Sequence, residues 1–245
     1  METGRQQTAL PLVSVVTVCY NSIATIERTI LSVLEQDYPC TEYIIIDGGS
    51  TDGTIEIIKK YEERLAAWTS EPDSGIYDAM NKGIKQCTGE WIHLLNSDDR
   101  YVNRNVLSRV VPQLDLTRTN YFSMLMEEKG RFLYTYRFPF SYWRMFVSAK
   151  LPHPALIVSK DQYARVGVYD TSFRIAADHE FILRLIRRYP PKFVDAPLEV
   201  MEQGGLSARD TRFTYWEFME ACVKNGLPRW VAILIYWIKR VVFRA

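Results

Sequence analysis

The chain has 245 residues, of which 47% are hydrophobic and 24% are charged. This composition excludes a disordered protein and fits one folded α/β domain better than two independent ones. The formal net charge is only +1, so no long-range positive field attracts nucleic acid, and we expect no nucleic-acid partner.

Neither the cysteines nor the N-terminus indicates an exported protein. The four cysteines lie far apart at positions 19, 40, 87 and 222 without a CxxC pair, which predicts reduced thiols rather than disulfides or a zinc site. The first ten residues are polar and include Glu2 and Arg5, unlike the apolar core of a signal peptide. We therefore expect a cytoplasmic protein.

The first hundred residues alternate short apolar runs with segments of helical periodicity. This alternation is typical of βαβ units and predicts a mainly parallel sheet flanked by helices. We predict strands at 12–18, 43–47, 66–69 and 91–95, and helices at 22–36, 54–65 and 76–87. Asn21 or Ser22 is a candidate cap for the first of these helices.

The pattern is weaker in the second half. Residues 120–140 are aromatic and β-branched, which indicates either added strands or a loop. Further on, we predict a strand at 155–159, a helix at 178–189 and a last, edge strand at 192–201.

Polar clusters follow three of the predicted strands, at the edge where open α/β sheets bind ligands. Asn-Ser-Asp-Asp at 96–99 could hold Mg²⁺ or Mn²⁺ through carboxylate oxygens, or could be a solvated turn. In the segment 47–53, glycines allow close approach of a nucleotide, although a turn before a capped helix also explains it. The segment 70–83 places polar groups and Lys82 at a helix N-terminus, which favours a diphosphate or ordinary capping by Asp73 or Ser74.

Four segments in this order, residues 15–21, 44–54, 71–83 and 94–99, closely resemble the nucleotide-sugar-binding half of family 2 glycosyltransferases, which have the GT-A fold. The resemblance resumes at 153–185 and at 203–207, which look like acceptor-side segments of that family. It implies a domain at 1–226, with a donor half at 12–99 and an acceptor half at 100–226.

The resemblance assigns roles residue by residue. It implies that the nucleoside pocket is lined by Tyr20, Asn21 and Asp47, and that the donor site is shaped by Asp73, Asp78 and Asn81. Asp98 matches the metal-binding carboxylate of the family's DXD motif, with Asp99 as a second candidate ligand for Mn²⁺ or Mg²⁺. Asn96 replaces the first aspartate of that motif and is assigned to the donor site.

Asp178, in the segment Ala-Ala-Asp-His-Glu at 176–180, resembles the family's catalytic base, although Ala177 replaces the usual acidic neighbour. An isolated aspartate at such a position can instead cap its helix. A single base that deprotonates an acceptor hydroxyl opposite the leaving diphosphate predicts inversion at the anomeric carbon, since a retaining scheme needs a second carboxylate.

The C-terminal segment 227–245 alternates aromatic and aliphatic residues with basic ones. As a helix it places Arg229, Tyr236, Arg240 and Arg244 on one face. This pattern suits an amphipathic helix on the inner face of an anionic plasma membrane, and equally a helix docked on protein.

We expect an inverting transfer of a sugar from a UDP-, GDP- or dTDP-linked donor to a glycan or lipid-linked acceptor, as in bacterial surface polysaccharide or glycolipid synthesis. Two alternatives stay open: a catalytically inactive sugar-nucleotide-binding subunit, and a nucleotidyltransferase, which the lack of a glycine-rich phosphate loop near the first strand disfavours. The sugar, the acceptor and the oligomeric state do not follow from the sequence.

Overall fold

A computed structural model describes residues 9–138, 140–147, 151–202 and 211–242. Among these residues, one nine-stranded mixed sheet has the order β3-β2-β1-β4-β8-β6-β9-β5, with β7 paired to β6. Its strands are β1 Val13–Cys19, β2 Thr41–Asp47, β3 Ala67–Ser70, β4 Trp91–Leu94, β5 Arg100–Tyr101, β6 Thr119–Glu128, β7 Arg131–Tyr136, β8 Leu156–Ser159 and β9 Pro191–Glu202.

The helices lie between these strands or follow them. They are α1 Ile26–Leu34, α2 Thr54–Lys59, α3 Ile76–Gln86, α4 Val106–Val110, α5 Tyr142–Val147, α6 Lys160–Val166, α7 Ala177–Arg188, α8 Thr211–Lys224 and α9 Arg229–Val242. None of the helices in the described residues combines the length and apolar character that a membrane crossing requires.

Both faces of the sheet are buried. Side chains alternate along a strand, so Val15 and Ile45 face the core beneath α1 and α4, while Val16 and Ile46 face the core beneath α3 and α7. Helix α3 packs so tightly on β1 that a Cβ at Gly83 would collide with Val16. Such three-layer burial explains why β1 reads as a continuous apolar run in the sequence.

The predicted strands of the first hundred residues are confirmed within two residues at each end. The first predicted helix begins later than expected, at Ile26, with Thr25 in the capping position. Asn21 and Ser22 do not cap it, because the helix has no side-chain cap; their backbone N–H groups donate to Ser50 Oγ and Thr54 Oγ1 of the neighbouring segment.

The prediction that 192–201 forms an edge strand is wrong. Strand β9 lies inside the sheet, parallel to β6 on one side and antiparallel to β5 on the other. The two-residue strand β5 carries no sequence pattern of its own, so this pairing was invisible to local analysis. The sheet is mixed: β1, β2, β3 and β4 pair in parallel, as do β6 and β9, and its other pairings are antiparallel.

Candidate active site

The loops after the parallel strands meet at one edge of the sheet. The register pairs Cys19 with Asp47 and Asp47 with Ser70, so β1, β2 and β3 end side by side. The loop after β4 joins them, because Ser22 Oγ and Ser97 Oγ lie 2.9 Å apart. The sequence-predicted polar clusters at 20–21, 47–53, 70–75 and 96–99 are therefore brought together.

Asp47 is the structural centre of this edge. Its carboxylate is fully buried and accepts hydrogen bonds from the backbone N–H groups of Gly49 (3.1 Å) and Ser50 (2.9 Å) and from the Ser70 hydroxyl (2.7 Å). Burial acts to raise the pKa of Asp47, but the hydrogen bonds from Ser50 and Ser70 outweigh burial and lower that pKa.

The resemblance implies that Asp47 lines the nucleoside pocket, and the structure shows what its carboxylate binds within the chain. Its side chain is enclosed by donors of its own chain, so it shapes the loop that follows β2. The carboxylate placed over that loop belongs to Asp73. A Cβ built on Gly48 would lie 2.5 Å from Asp73 Oδ2 and 3.5 Å from the Tyr20 ring, so the missing side chain at 48 makes room for this carboxylate.

Tyr20 and Asn21, which the resemblance assigns to the nucleoside pocket, lie in the loop after β1. Tyr20 is one of the most exposed large side chains, at 65%. Asn21 adopts a positive φ of 49° and accepts a hydrogen bond from the Thr51 N–H, which fixes the β1 loop against the β2 loop. An asparagine tolerates this backbone region better than most residues do.

Two further predicted donor residues, Asp73 and Asp78, lie at the start of α3. Asp73 Oδ1 accepts from the Gly75 N–H at 2.8 Å, and Asp78 Oδ2 accepts from the Ser74 N–H at 3.1 Å. Asp78 also lies 3.5 Å from Lys82 Nζ, which forms an ion pair with Glu71 as well. Gly75 occupies the N-cap position without a side-chain cap, so Asp73 and Ser74 are not ordinary caps of α3.

Asn81, which the resemblance assigns to the donor site, binds the backbone of another segment. Its amide donates to the Tyr169 carbonyl at 2.9 Å and accepts from the Tyr169 N–H at 3.0 Å, so both polar atoms of the side chain are used. Asn81 therefore ties α3 to the segment before α7, and its polar atoms are not directed at the donor.

The acidic cluster after β4 is divided between a partly exposed and a buried carboxylate. Burial raises the pKa of Asp98, while the positive charge of Arg28 opposes this rise and the negative charge of Glu202 adds to it. Asp99 is buried, and burial together with the charge of Asp98 raises its pKa to about 8. Asn96 donates to Asp99 Oδ2 at 3.0 Å, so Asn96 acts within the loop.

Asp99 faces the interior, towards Glu199 of β9. Glu199 is fully buried, neither of its oxygens has a hydrogen-bond partner, and burial and the charge of Asp99 raise its pKa. Asp99, the second ligand that the resemblance suggests, is thus a buried neighbour of Asp98.

A divalent cation fits Asp98 better than the rest of the cluster. Asp98 supplies a hard oxygen donor whose ionised form is disfavoured by burial and by Glu202, and a cation would relieve both effects. Among the described residues, no three His, Cys, Asp or Glu side chains are arranged to hold a metal ion by themselves. Mg²⁺-type sites commonly complete their coordination with water and substrate phosphates.

Asp178 lies in the first turn of α7, and the capping alternative does not describe it. Ala176 occupies the N-cap position, and no side chain caps this helix. Asp178 Oδ1 lies 3.2 Å from the Tyr77 hydroxyl and accepts from the His179 N–H at 2.7 Å. Burial raises the pKa of Asp178 to about 6. This value is still below neutral pH, so the carboxyl is mainly ionised there, and it is a stronger base than an ordinary aspartate.

Sequence reasoning missed the residues that hold Asp178. Tyr77 lies in the polar segment 70–83, but no sequence signal indicates that its hydroxyl contacts Asp178, 101 positions away. Glu217 of α8 accepts three backbone N–H groups just before α7 and was not noticed, because one glutamate in a helix is unremarkable. The predicted acceptor segment at 203–207 lies outside the described residues.

The departure at position 177 is explained by packing. Ala177 is fully buried against the core beneath α3 and α7. An acidic side chain there would enter this apolar core without compensation, so alanine suits the local environment of this chain.

Comparison with known proteins agrees with this geometry. The sequence model of glycosyl transferase family 2 matches residues 14–170. An uncharacterised glycosyltransferase of Mycobacterium tuberculosis is 38% identical over 189 residues, covering 72% of this chain and 70% of the relative. A PGL/p-HBAD biosynthesis glycosyltransferase of Mycobacterium bovis is 25% identical over 248 residues, covering 97% of this chain and 94% of the relative.

Solved structures share the fold at low sequence identity. TarS 1-349 of S. aureus in complex with UDP-GlcNAc superposes with a TM-score of 0.70 at 20% identity, covering 92% of this chain and 70% of that one. This chain covers 42% of a longer TarS chain. The mannosyltransferase PcManGT of Pyrobaculum calidifontis, in complex with GDP-Man and Mn²⁺, gives 0.66 at 21% identity, covering 95% and 70%. The GT-A architecture is thereby confirmed, and the chain belongs to glycosyltransferase family 2.

Proposed function

We propose that this glycosyltransferase moves a sugar, with inversion, from a nucleotide diphosphate donor to a hydroxyl of a glycan or lipid-linked acceptor. The observation that carries the proposal is Asp178, whose pKa of about 6 and place beside the donor helix α3 suit a general base. The structures of TarS with UDP-GlcNAc and of PcManGT with GDP-Man support a nucleotide-sugar donor.

The reaction is one in-line displacement. Asp178 takes the proton of the acceptor hydroxyl while the acceptor oxygen bonds to the anomeric carbon. The bond from that carbon to the diphosphate oxygen breaks at the same time, and its electron pair leaves with the nucleotide. Since the two hydrogen bonds described above both involve Oδ1, we assign the proton to Oδ2 of Asp178.

The leaving diphosphate needs positive charge. Asp98 is the residue that would hold Mn²⁺ or Mg²⁺, which when bound neutralises the departing phosphates. Mn²⁺ in the PcManGT complex supports this assignment. Lys82, in the second turn of α3, already forms ion pairs with Glu71 and Asp78, so it would serve the phosphates only by exchanging these partners.

The nucleoside would lie between Tyr20 and Asp73. The exposed Tyr20 ring offers a stacking face, and Asp73 Oδ2 lies in the space left by Gly48. A carboxylate accepts hydrogen bonds only, so it favours a base with an imino N–H, as in uracil, thymine and guanine. Cytosine and adenine offer no imino hydrogen at that position.

We place α9 at the inner surface of the plasma membrane, where a lipid-linked acceptor would be found. The outward face of α9 is its apolar one, since Trp230 is 72% exposed and four further residues are about half exposed: Ile233, Leu234, Trp237 and Ile238. This spacing makes one continuous apolar stripe along the helix. Arg229 does not take part in this surface, because it forms an ion pair with Glu220 of α8.

The test is nucleotide release from UDP-glucose, GDP-mannose and dTDP-glucose, with water as the acceptor and with Mn²⁺ present. Wild-type protein should release nucleotide from at least one donor, and Asp178→Asn should lose about 100-fold or more of that rate because the amide cannot take a proton. Donor binding by calorimetry should be unchanged in the variant. Nucleotide release at the wild-type rate by Asp178→Asn would show that Asp178 is not the general base.

A further inference from the structure

The base Asp178 is held from two sides by residues that have no assigned role. One is Glu217 of α8, which contacts the segment before α7, and the other is Tyr77 of α3, which contacts the same segment and the carboxylate itself. We propose that Glu217 and Tyr77 are positioning residues that set the place and orientation of Asp178, an inference that rests on the proposed role of Asp178.

Glu217 gathers three consecutive backbone donors. Its Oε1 accepts from the Arg174 N–H at 2.7 Å, and its Oε2 accepts from the N–H groups of Ile175 and Ala176 at 2.6 and 3.0 Å. The residue is 7% exposed, so these bonds form largely away from water and each counts for more than on the surface. Because Asp178 follows two residues after Ala176, this clamp fixes where α7 begins and where the base lies.

Tyr77 holds the same peptide from the other side. Its hydroxyl lies 2.5 Å from the carbonyl oxygen of Ile175 and 3.2 Å from Asp178 Oδ1. Its ring is stacked on Tyr169 with centroids 5.6 Å apart, which restricts its rotamer. Ile175 is therefore held at its N–H by Glu217 and at its carbonyl by Tyr77, and the donor helix α3 is joined to the base.

The two residues act in opposite directions on the ionisation of Asp178. Burial is the main influence and raises the pKa of Asp178, the Tyr77 hydrogen bond lowers it, and the negative charge of Glu217 raises it. Among the described residues, Tyr169, from the segment before α7, is a further titratable group near Asp178, whereas the ring of its neighbour His179 is stacked on Phe218 of α8. If Glu217 and Tyr77 only supported the fold, their removal would not shift the pKa of Asp178 in opposite directions.

The experiment follows nucleotide release from the best donor of the panel, with water as the acceptor, as a function of pH. In Glu217→Gln one amide NH₂ group replaces an acceptor oxygen and faces backbone donors, so kcat should fall roughly 10- to 100-fold. The acidic limb of the kcat/KM profile should move to lower pH in this variant and to higher pH in Tyr77→Phe. Calorimetric donor affinity should stay within about twofold of wild type in both.

Two control variants make the same chemical changes at other positions of the chain. Glu220→Gln removes a carboxylate from the same helix, where Glu220 binds Arg229. Tyr163→Phe removes another buried tyrosine hydroxyl. Both variants should leave the acidic limb of the kcat/KM profile at its wild-type pH. Glu217→Asp keeps the charge but shortens the side chain, so it should lower kcat without moving the limb. If Glu217→Gln does not fold, Glu217→Asp and Tyr77→Phe still decide the inference.

The two proposals fail separately. If Asp178→Asn abolishes nucleotide release but neither Glu217→Gln nor Tyr77→Phe moves the acidic limb, the positioning inference is overturned and the proposed base stands. Limbs that move in the same direction in both variants overturn it as well. If Asp178→Asn releases nucleotide like wild type, the proposed function fails first.

Discussion

Replacement of Gly48 by alanine tests the donor site most directly, because this glycine makes room for another residue's carboxylate. The added Cβ would lie 2.5 Å from Asp73 Oδ2 and 3.2 Å from its Cγ. Ordinary contact needs about 3.5 Å, so the carboxylate must move by about 1 Å. The backbone of Gly48 does not have a positive φ, so alanine itself is tolerated there.

The expected loss follows from the hydrogen bond proposed between Asp73 and the base. A bond to a charged group contributes about 1.5–3 kcal/mol, which corresponds to roughly 10- to 150-fold weaker nucleotide binding. Stability should hardly change or rise slightly, because a Gly→Ala change reduces the entropy of the unfolded chain by up to about 1 kcal/mol. Gly48→Ala should therefore lose affinity while keeping its melting temperature.

Calorimetric titration with UDP and GDP measures the effect in a double-mutant cycle. Asp73→Ala should weaken binding about as much as Gly48→Ala, and the double variant should be no weaker than either single one, because no carboxylate is left to displace. Additive losses would show that Gly48 acts independently of Asp73. Wild-type affinity in Gly48→Ala would refute the reasoning about this space altogether.

Three further predictions concern the metal, the base and the tail. Asp98→Ala should bind UDP equally well with Mn²⁺ and with chelator, whereas wild type should bind more tightly with Mn²⁺; an unchanged metal effect by calorimetry would contradict the ligand assignment. Nucleotide release should rise about tenfold per pH unit up to roughly pH 6 and level off above it, because burial raises the pKa of Asp178 to about 6 and only its ionised form accepts a proton; a limb near pH 4 would argue against this base. Trp230→Ser with Leu234→Ser should abolish flotation with anionic vesicles while Leu116→Ser, at another exposed apolar position, should not; equal flotation of all three proteins would argue against the lipid surface.

The sequence predicted best where local pattern and final environment agree. Strand β1 is a continuous apolar run because both of its faces are buried, and α3 shows helical periodicity because one side packs on β1. Strand β9 was misplaced at an edge because its neighbour β5 has two residues and no periodicity. An edge is a property of pairing between distant segments, which a local pattern does not contain.

The same distinction between local pattern and tertiary contacts applies to the candidate site. The resemblance points to Tyr20, Asp98 and Asp178 as site residues, and these side chains lie at strand or helix ends that the local pattern locates. The motif does not show that the Asp47 carboxylate accepts hydrogen bonds from its own chain, or that the Asn81 amide binds the backbone of Tyr169. Both outcomes depend in part on polar partners that tertiary packing supplies, since Ser70 lies 23 residues from Asp47 and Tyr169 lies 88 residues from Asn81.

The buried acids after β4 explain why one carboxylate stands out as the candidate ligand. Burial raises the pKa values of Asp99 and Glu199, and that of Asp99 reaches about 8, so near neutral pH Asp99 is mainly protonated. A neutral carboxyl is a poor ligand for a hard cation, whereas an ionised one is a good ligand. Burial raises the pKa of Asp98 as well, but Asp98 is partly exposed and the positive charge of Arg28 opposes the rise, so it is the member of this cluster best able to hold a negative charge towards the site. The family motif and the electrostatics of the β4 loop therefore select the same residue by independent routes.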